Sequence, residues 1–396
     1  MKRTKIMHIH TVSSSETVYQ IARKYGIHPT KLIETNSLKN PDKLTVGQKL
    51  IILTPTKTYT VRGGDTLKRI ATRFGVSYRA LLRNNPALEG TDKIYPEEIL
   101  AVKYDTPNHG IALLNGYCYS DCSYERLKTI LPYLNYVTIS SAVNETGNLN
   151  LVMDDRTIAE KVKSEGRIPL LRIYDKRSFE EMAKNINEYA EKICDLYQKR
   201  GHSGITFGAY NAAIDERFEE LLFCIKKAIL SRGGIFFLEV DGNRNFNVSD
   251  IPDANIFSYT KCCDREIPSF EEGEKKLYTE LAEKQDSSKI MIELTPFAYH
   301  GKKEVPITDT VYDAARTGKE IEYDSDRMIC SFKNTAYKNG RGENVTVIFE
   351  APENIKAKLD LCGELGFMGM SIDIMRTPIE YMMMINSTFS CGVDYL

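Results

Sequence analysis

The sequence predicts two small βααβ modules followed by a (β/α)8 barrel, a mixed α/β chain of 396 residues. Three observations predict this. Residues 11–36 and 60–85 repeat one another: Val12, Thr17, Ile21, Ala22, Gly26, Leu32 and Asn36 recur as Val61, Thr66, Ile70, Ala71, Gly75, Leu81 and Asn85 at one constant offset. From residue 109 onward, short apolar runs alternate with helical patterns. The length also exceeds what one ordinary core serves.

Each module carries its own punctuation. In the second copy a β-run at Thr58–Val61 enters a Gly/Asp/Thr turn, and Asp65 or Thr66 can cap the helix that follows. Leu67, Ile70, Ala71 and Phe74 fall at helical spacing, so one face is apolar. Gly75 stands where a left-handed residue ends the helix. A second short helix (Tyr78–Arg83) leads to Asn85-Pro86, and the closing strand is Ile94–Val102, matched in the first copy by Leu44–Leu53.

These residues resemble the LysM family over residues 8–53 and 58–103. The V-x-x-G-D-T-L signature is intact as Val61-Arg62-Gly63-Gly64-Asp65-Thr66-Leu67. Copy one has Ser15, Glu16 and Val18 in place of Gly, Asp and Leu. The late I-x-x-G-Q-x-L appears in copy one as Leu44-Thr45-Val46-Gly47-Gln48-Lys49-Leu50, whereas copy two has Glu97-Glu98 for Gly-Gln. The resemblance implies binding of N-acetylglucosamine polymers, peptidoglycan or chitin, in a shallow groove. Its walls would be Gly64, Asp65, Thr66 and Leu67 with Asn85 and Pro86, and Ser15, Glu16, Thr17 and Val18 with Asn36 and Ser37. A few hydrogen bonds from backbone and small polar groups suffice to read N-acetyl groups, and two weak modules in tandem gain from effective concentration. Asp65→Ala with Asn85→Ala is expected to weaken retention on peptidoglycan.

The larger domain spans residues 109–396. Its expected strands are Ile111–Tyr119, Tyr136–Val143, Ile168–Tyr174, Gly204–Tyr210, Ile235–Val240, Ile256–Thr260, Lys289–Phe297, Val345–Phe349 and Met368–Ile374. The helices between them are Ser123–Leu134, Asp155–Glu165, Ser178–Arg200, Glu216–Arg232, Phe270–Lys284 and Asn354–Leu365. Roughly eight strands alternating with helices over this length indicate a closed parallel barrel, with any site at the C-terminal ends of the strands.

This part resembles glycoside hydrolase family 18, and within it the LysM-bearing spore cortex-lytic N-acetylglucosaminidases of spore-forming Firmicutes. The matching segments are Leu114-Asn115-Gly116-Tyr117, Ile168-Pro169-Leu170-Leu171 and the stretch from Val347 to Asp373. The family motif D-G-x-D-x-D-x-E on the fourth strand reads here Ser203-Gly204-Ile205-Thr206-Phe207-Gly208-Ala209-Tyr210. Its carboxylates are replaced at Ser203, Thr206, Gly208 and Tyr210. The resemblance assigns the Glu as the acid for the leaving oxygen and the neighbouring Asp as the group that orients the N-acetyl. Tyr210, a phenol of ordinary pKa near 10, is a poor donor there, and this chemistry needs both carboxylates. The sixth-strand M-x-Y-D falls on Tyr259-Thr260-Lys261-Cys262, and the chain has no Trp to floor a sugar subsite. Glu239 and Asp241, flanking Val240, are the alternative acids, with Glu293, Asp373 and Asp175 elsewhere on the barrel rim. Tyr210, Tyr174 and Tyr259 could line a pocket that binds without cleaving.

Charge is unevenly placed. Residues 1–105 hold 18 Lys+Arg against 9 Asp+Glu, out of 53 and 54 in the chain, so the first part is basic and the rest acidic. A basic half suits an anionic wall polymer. No basic helix with an aromatic platform points to nucleic acid. No signal-peptide pattern follows Met1, and no run is long enough to span a membrane. All nine cysteines follow residue 117, their spacing matches no zinc site, and they read mostly as reduced thiols; Cys262-Cys263 and Cys118/Cys122 are the pairs that could cross-link. No metal or cofactor is expected. The favoured reading is a peptidoglycan-binding protein of the spore cortex, coat or cell wall, made in the mother-cell cytoplasm, with an inactive barrel as scaffold or recognition module. The alternatives are a hydrolase with relocated carboxylates and a structural coat protein acting through spore-layer partners.

Overall fold

A computed structural model describes residues 7–104, 109–145, 148–209, 216–241, 257–260, 267–338 and 341–391. The first module runs β1 (Met7–Thr11), α1 (Val18–Tyr25), α2 (Pro29–Thr35) and β2 (Lys49–Leu53), with β1 and β2 antiparallel. The second runs β3 (Lys57–Thr60), α3 (Leu67–Phe74), α4 (Tyr78–Asn84) and β4 (Ile99–Lys103), again with an antiparallel strand pair. The closing strands are shorter than the sequence suggests, because the residues before them form turns. Thr17 and Thr66 cap α1 and α3, and Gly26 and Gly75 end them in the left-handed region. Val18, Ile21, Leu32, Leu50 and Ile52 form one small core, and Leu67, Ile70, Leu81, Leu100 and Val102 the other. Each such side chain contributes about 1.5–3 kcal/mol of burial.

The barrel begins with β5 (His109–Cys118), α5 (Tyr124–Ile130), β6 (Tyr136–Asn144) and a short β7 (Leu149–Leu151). It continues through α6 (Arg156–Ser164), β8 (Ile168–Asp175), α7 (Phe179–Ala183), α8 (Ile186–Lys199) and β9 (Gly204–Ala209). Next come α9 (Glu216–Ser231), β10 (Ile235–Asp241), β11 (Phe257–Thr260), α10 (Lys276–Lys284) and β12 (Ile290–Glu293). An inserted unit follows: β13 (Ala298–His300), β14 (Lys303–Glu304), α11 (Ile307–Thr317), β15 (Glu322–Asp324), β16 (Ile329–Lys338) and β17 (Arg341–Glu350). The chain ends with α12 (Pro352–Glu364), β18 (Gly369–Asp373), α13 (Ile379–Thr388) and β19 (Phe389–Cys391). Strands β5, β6, β8, β9, β10, β11, β12 and β18 are parallel neighbours in that order, and β18 pairs back onto β5, so the sheet closes. The expected (β/α)8 barrel is therefore present.

Three details differ from the sequence reading. Val345–Phe349 is no barrel strand but part of β17, inside a five-stranded antiparallel sheet. Val347 and Phe349 are buried while Thr346 and Ile348 are less so, the alternation of a half-covered sheet rather than of a strand covered on both faces. The long helix of residues 178–200 breaks at Asn185, whose backbone is not helical, giving α7 and α8. The expected strand of residues 289–297 stops at Glu293.

Inside the barrel, Leu170, Phe237 and Met291 pack at the closed end. Above them lies a polar layer: Thr138 bonds Asn115 at 2.9 Å and Thr206 at 2.9 Å, with Ser371 beside Asn115. Both modules dock on the barrel flank. Helix α13 packs against α2, β2 and α4. Ile321 donates its amide to Val46 O at 2.9 Å, Tyr133 its hydroxyl to Arg83 O at 2.6 Å, and Lys49 pairs with Glu353 at 2.7 Å.

Candidate functional site

The turn before α3 is tied by Asp65, whose carboxylate accepts the Arg62 amide at 2.8 Å and the Tyr59 hydroxyl at 2.7 Å. The same turn in copy one uses Glu16, which accepts the Ser13 amide at 2.8 Å and His10 Nε2 at 2.9 Å. Tyr59 and His10 occupy equivalent positions, so the longer acid meets the shorter partner and the latch keeps its reach. The Tyr59 hydroxyl and the Arg62 amide hold Asp65 below the usual carboxylate range; the Ser13 amide does the same for Glu16. Gly64 and Ser15 take equivalent left-handed positions, at φ 85° and 65°. The departure of Ser15 from Gly therefore leaves the turn intact, with local strain.

Ser15, Thr17, Gly64 and Thr66 are exposed, while Glu16 and Asp65 are half-buried. Val18 and Leu67 are core residues and Pro86 is also buried. Asn36 and Asn85 turn inward. Asn85 takes the Ala101 amide at 2.8 Å and donates to Leu81 O and Ala101 O, both at 2.8 Å. Asn36 does the same with Ile51 and Leu32. Their side chains clamp the second helix to the closing strand, so what they offer a groove is placement of the loop. Sequence reasoning missed Tyr95, 68% exposed, and Tyr19, 69% exposed. Tyr95 lies in the loop whose Glu97 amide bonds Val61 O, next to the Asp65 turn. Its signal was a lone aromatic in the loop run Thr91-Asp92-Lys93-Ile94-Tyr95-Pro96-Glu97-Glu98.

At the barrel mouth Thr206 and Gly208 share the inward-facing side of β9, as their spacing requires. Thr206 is buried in the polar layer, and Ser203 sits at the base of β9, bonded through its amide to Pro169 O. Tyr210, Lys261, Cys262 and Cys263 lie outside the described residues, as do the side chains of Asp241 and Tyr259. Gly208 is level with Glu239 on β10. Glu239 is buried, and Arg172 from β8 grips it through two bonds of 2.7 Å while reaching Ser140 Oγ at 3.1 Å. The guanidinium lies 5.3–5.8 Å from the rings of Tyr174, Tyr119 and Tyr117. Both oxygens of Glu239 are thus committed to a cation, the opposite of what a proton donor needs.

The other carboxylates divide. Asp175 is an anchor, held by Arg177, the Tyr189 hydroxyl and Asn144. Asp373 accepts the amides of Met375 and Arg376 at 2.8 and 3.1 Å, yet burial pushes its carboxyl above the ordinary value. Glu293 ends β12 beside Ser371. Among the described residues no cluster of His, Cys, Asp and Glu suits a metal ion, and no helix is long and apolar enough to cross a membrane.

The LysM domain model matches residues 10–53 and 59–103. The cell wall-binding protein YocH of Bacillus subtilis is 38% identical over 98 residues, 24% of this chain and 33% of that protein. An endolysin of Bacillus phage B103 is 28% identical over 26% of this chain and 40% of its own length. The matched segment thus spans well under half of these curated relatives. Among solved structures, the spore cortex-lytic enzyme SleL of Bacillus megaterium QM B1551 superposes with a TM-score of 0.74 at 21% identity, covering 97% of this chain and 98% of that one. A chitinase from Chromobacterium violaceum superposes at 0.62 with 16% identity over 70% of this chain and 98% of its own. The chain carries two LysM domains in tandem, followed by a barrel whose fold is that of family 18 chitinases and cortex-lytic enzymes.

Proposed function

We propose that this protein binds N-acetylglucosamine-containing wall glycan, peptidoglycan above all, through its LysM pair. In this reading the barrel does not hydrolyse the glycan and serves as a scaffold or recognition module in a spore layer, with spore-layer proteins as further partners. The observation that carries it is the mouth: Thr206 and Gly208 stand inward on β9, and Glu239, level with Gly208, is locked by Arg172. The test is incubation with spore cortex peptidoglycan, reading both the fraction bound and the reducing ends released. Binding without release is expected. Release above a boiled control would overturn the non-hydrolytic reading. One observation favours the hydrolytic alternative: Asp373 ends β18 at the mouth and burial raises its carboxyl above the ordinary value. Asp373→Asn is therefore the first variant to assay should release be seen.

A further inference from the structure

The docking of the second LysM domain leaves a cleft of about 590 Å³ between α3 and α4 on one side and the ends of α5 and α6 on the other. This is the size of a small-molecule site. Its walls carry Lys68, Arg79, Lys128 and Arg167, and one carboxylate, Glu165. Glu165 is paired with Lys161 at 2.7 Å, outside the lining. The Arg79 guanidinium donates to Glu165 O at 2.6 Å, and Arg167 donates to Leu131 O and Gly166 O. A backbone carbonyl orients the Arg79 guanidinium without cancelling its charge. The amines of Lys68 and Lys128 have no carboxylate partner among the described residues. Asp92 acts on the Tyr78 phenol at the rim and is a further acid near this cleft. Lys68 and Leu67 both lie in the first turn of α3, Leu67 in the module core and Lys68 in the cleft wall.

We propose that this cleft binds the carboxylates of the peptide stems of peptidoglycan while the LysM groove holds the sugars, so that the protein distinguishes peptide-bearing glycan from bare glycan. This rests on the wall-binding reading above and names a feature of its ligand. Four cations on two rigid walls suit several carboxylates spread along a chain, and the cost of holding the cations together falls when anions enter.

The test compares chitohexaose with a soluble peptidoglycan fragment bearing free stem carboxylates, and with the same fragment amidated. Titration calorimetry uses the full-length wild type and Lys68→Glu/Lys128→Glu. The carboxylate-bearing fragment should bind wild type about tenfold more tightly than its amidated form. The double variant should abolish that ratio and leave chitohexaose affinity unchanged. Raising NaCl on the wild type should shrink the ratio as well, a readout independent of how the variant folds. Equal affinity for the free and amidated fragments, with chitohexaose still bound, overturns this proposal and leaves the LysM reading standing. Failure to bind any glycan overturns both. Displacement of the fragment by inorganic phosphate at concentrations where acetate has no effect would assign the cleft to phosphate and overturn the carboxylate assignment.

Discussion

At the scale of single residues, what matters is which side chains hold the binding turns and which are free to touch a ligand. Asn85 is 1% exposed and closes three hydrogen bonds inside its module. It also accepts from Lys31 of the first module at 3.1 Å. Asn85→Ala leaves buried backbone groups of Leu81 and Ala101 without partners, and is expected to cost about 2–3 kcal/mol in denaturant unfolding. Combining it with Asp65→Ala, as the sequence invites, would confound a lost contact with a loosened module. Asp65→Ala alone is the cleaner probe of glycan retention. No change in unfolding midpoint for Asn85→Ala would refute the clamp.

At the scale of elements, α13 is the piece that periodicity does not reveal. Met382, Met383, Met384 and Ile385 are all buried, so no polar face marks the helix. A helix apolar on all sides is one covered on all sides, here by the barrel beneath and the modules above. At its first turn, Glu380 borders a cavity of about 80 Å³ shared with Asn36 and Ser37 of the first module. One of its oxygens is buried without a partner, and burial lifts its carboxyl to about 7, with Arg126 opposing. Between the ordinary value near 4.3 and about 7, the folded state holds a proton that the unfolded state releases. Stability should therefore fall as pH rises through that window, by up to about 4 kcal/mol. Chemical denaturation of wild type and Glu380→Gln at pH 4.5 and 7.5 checks this. The wild-type loss should exceed that of the variant, and parallel profiles would rule it out.

At the scale of the whole molecule, the first module is fastened to the inserted unit through a backbone contact. Gly47 has φ 83°, and a Cβ there would lie 1.8 Å from Ile321 O. Gly47→Ala is strained by its conformation and blocked by its neighbour at once. The expected result is loss of docking while the barrel stays folded. Amide exchange reads it directly: the Ile321 N–H, now bonded to Val46 O at 2.9 Å, should lose protection in the variant. Retained protection would mean that the contact can shift to accommodate a methyl group. The docking of the second module creates the cationic cleft, so the relation between modules and barrel carries the functional argument as much as either part does.

The sequence by itself determined the duplication, a capped helix start at Asp65 or Thr66, the helix stop at Gly75 with its counterpart Gly26, and the closed barrel, because these follow from local conformation and apolar period; the structure gives the caps to Thr66 and Thr17. It also determined which residues stand at Ser203, Thr206 and Gly208. Tertiary structure alone decided that Glu239 is held by Arg172, that Asn36 and Asn85 face inward, and that Val345–Phe349 belongs to an antiparallel insertion. It alone joined Lys68 and Arg79 to Lys128 and Arg167. The physical reason is distance along the chain. Propensity and periodicity act over a few residues, whereas an ion pair between β8 and β10 or a cleft between two domains depends on how separate segments pack.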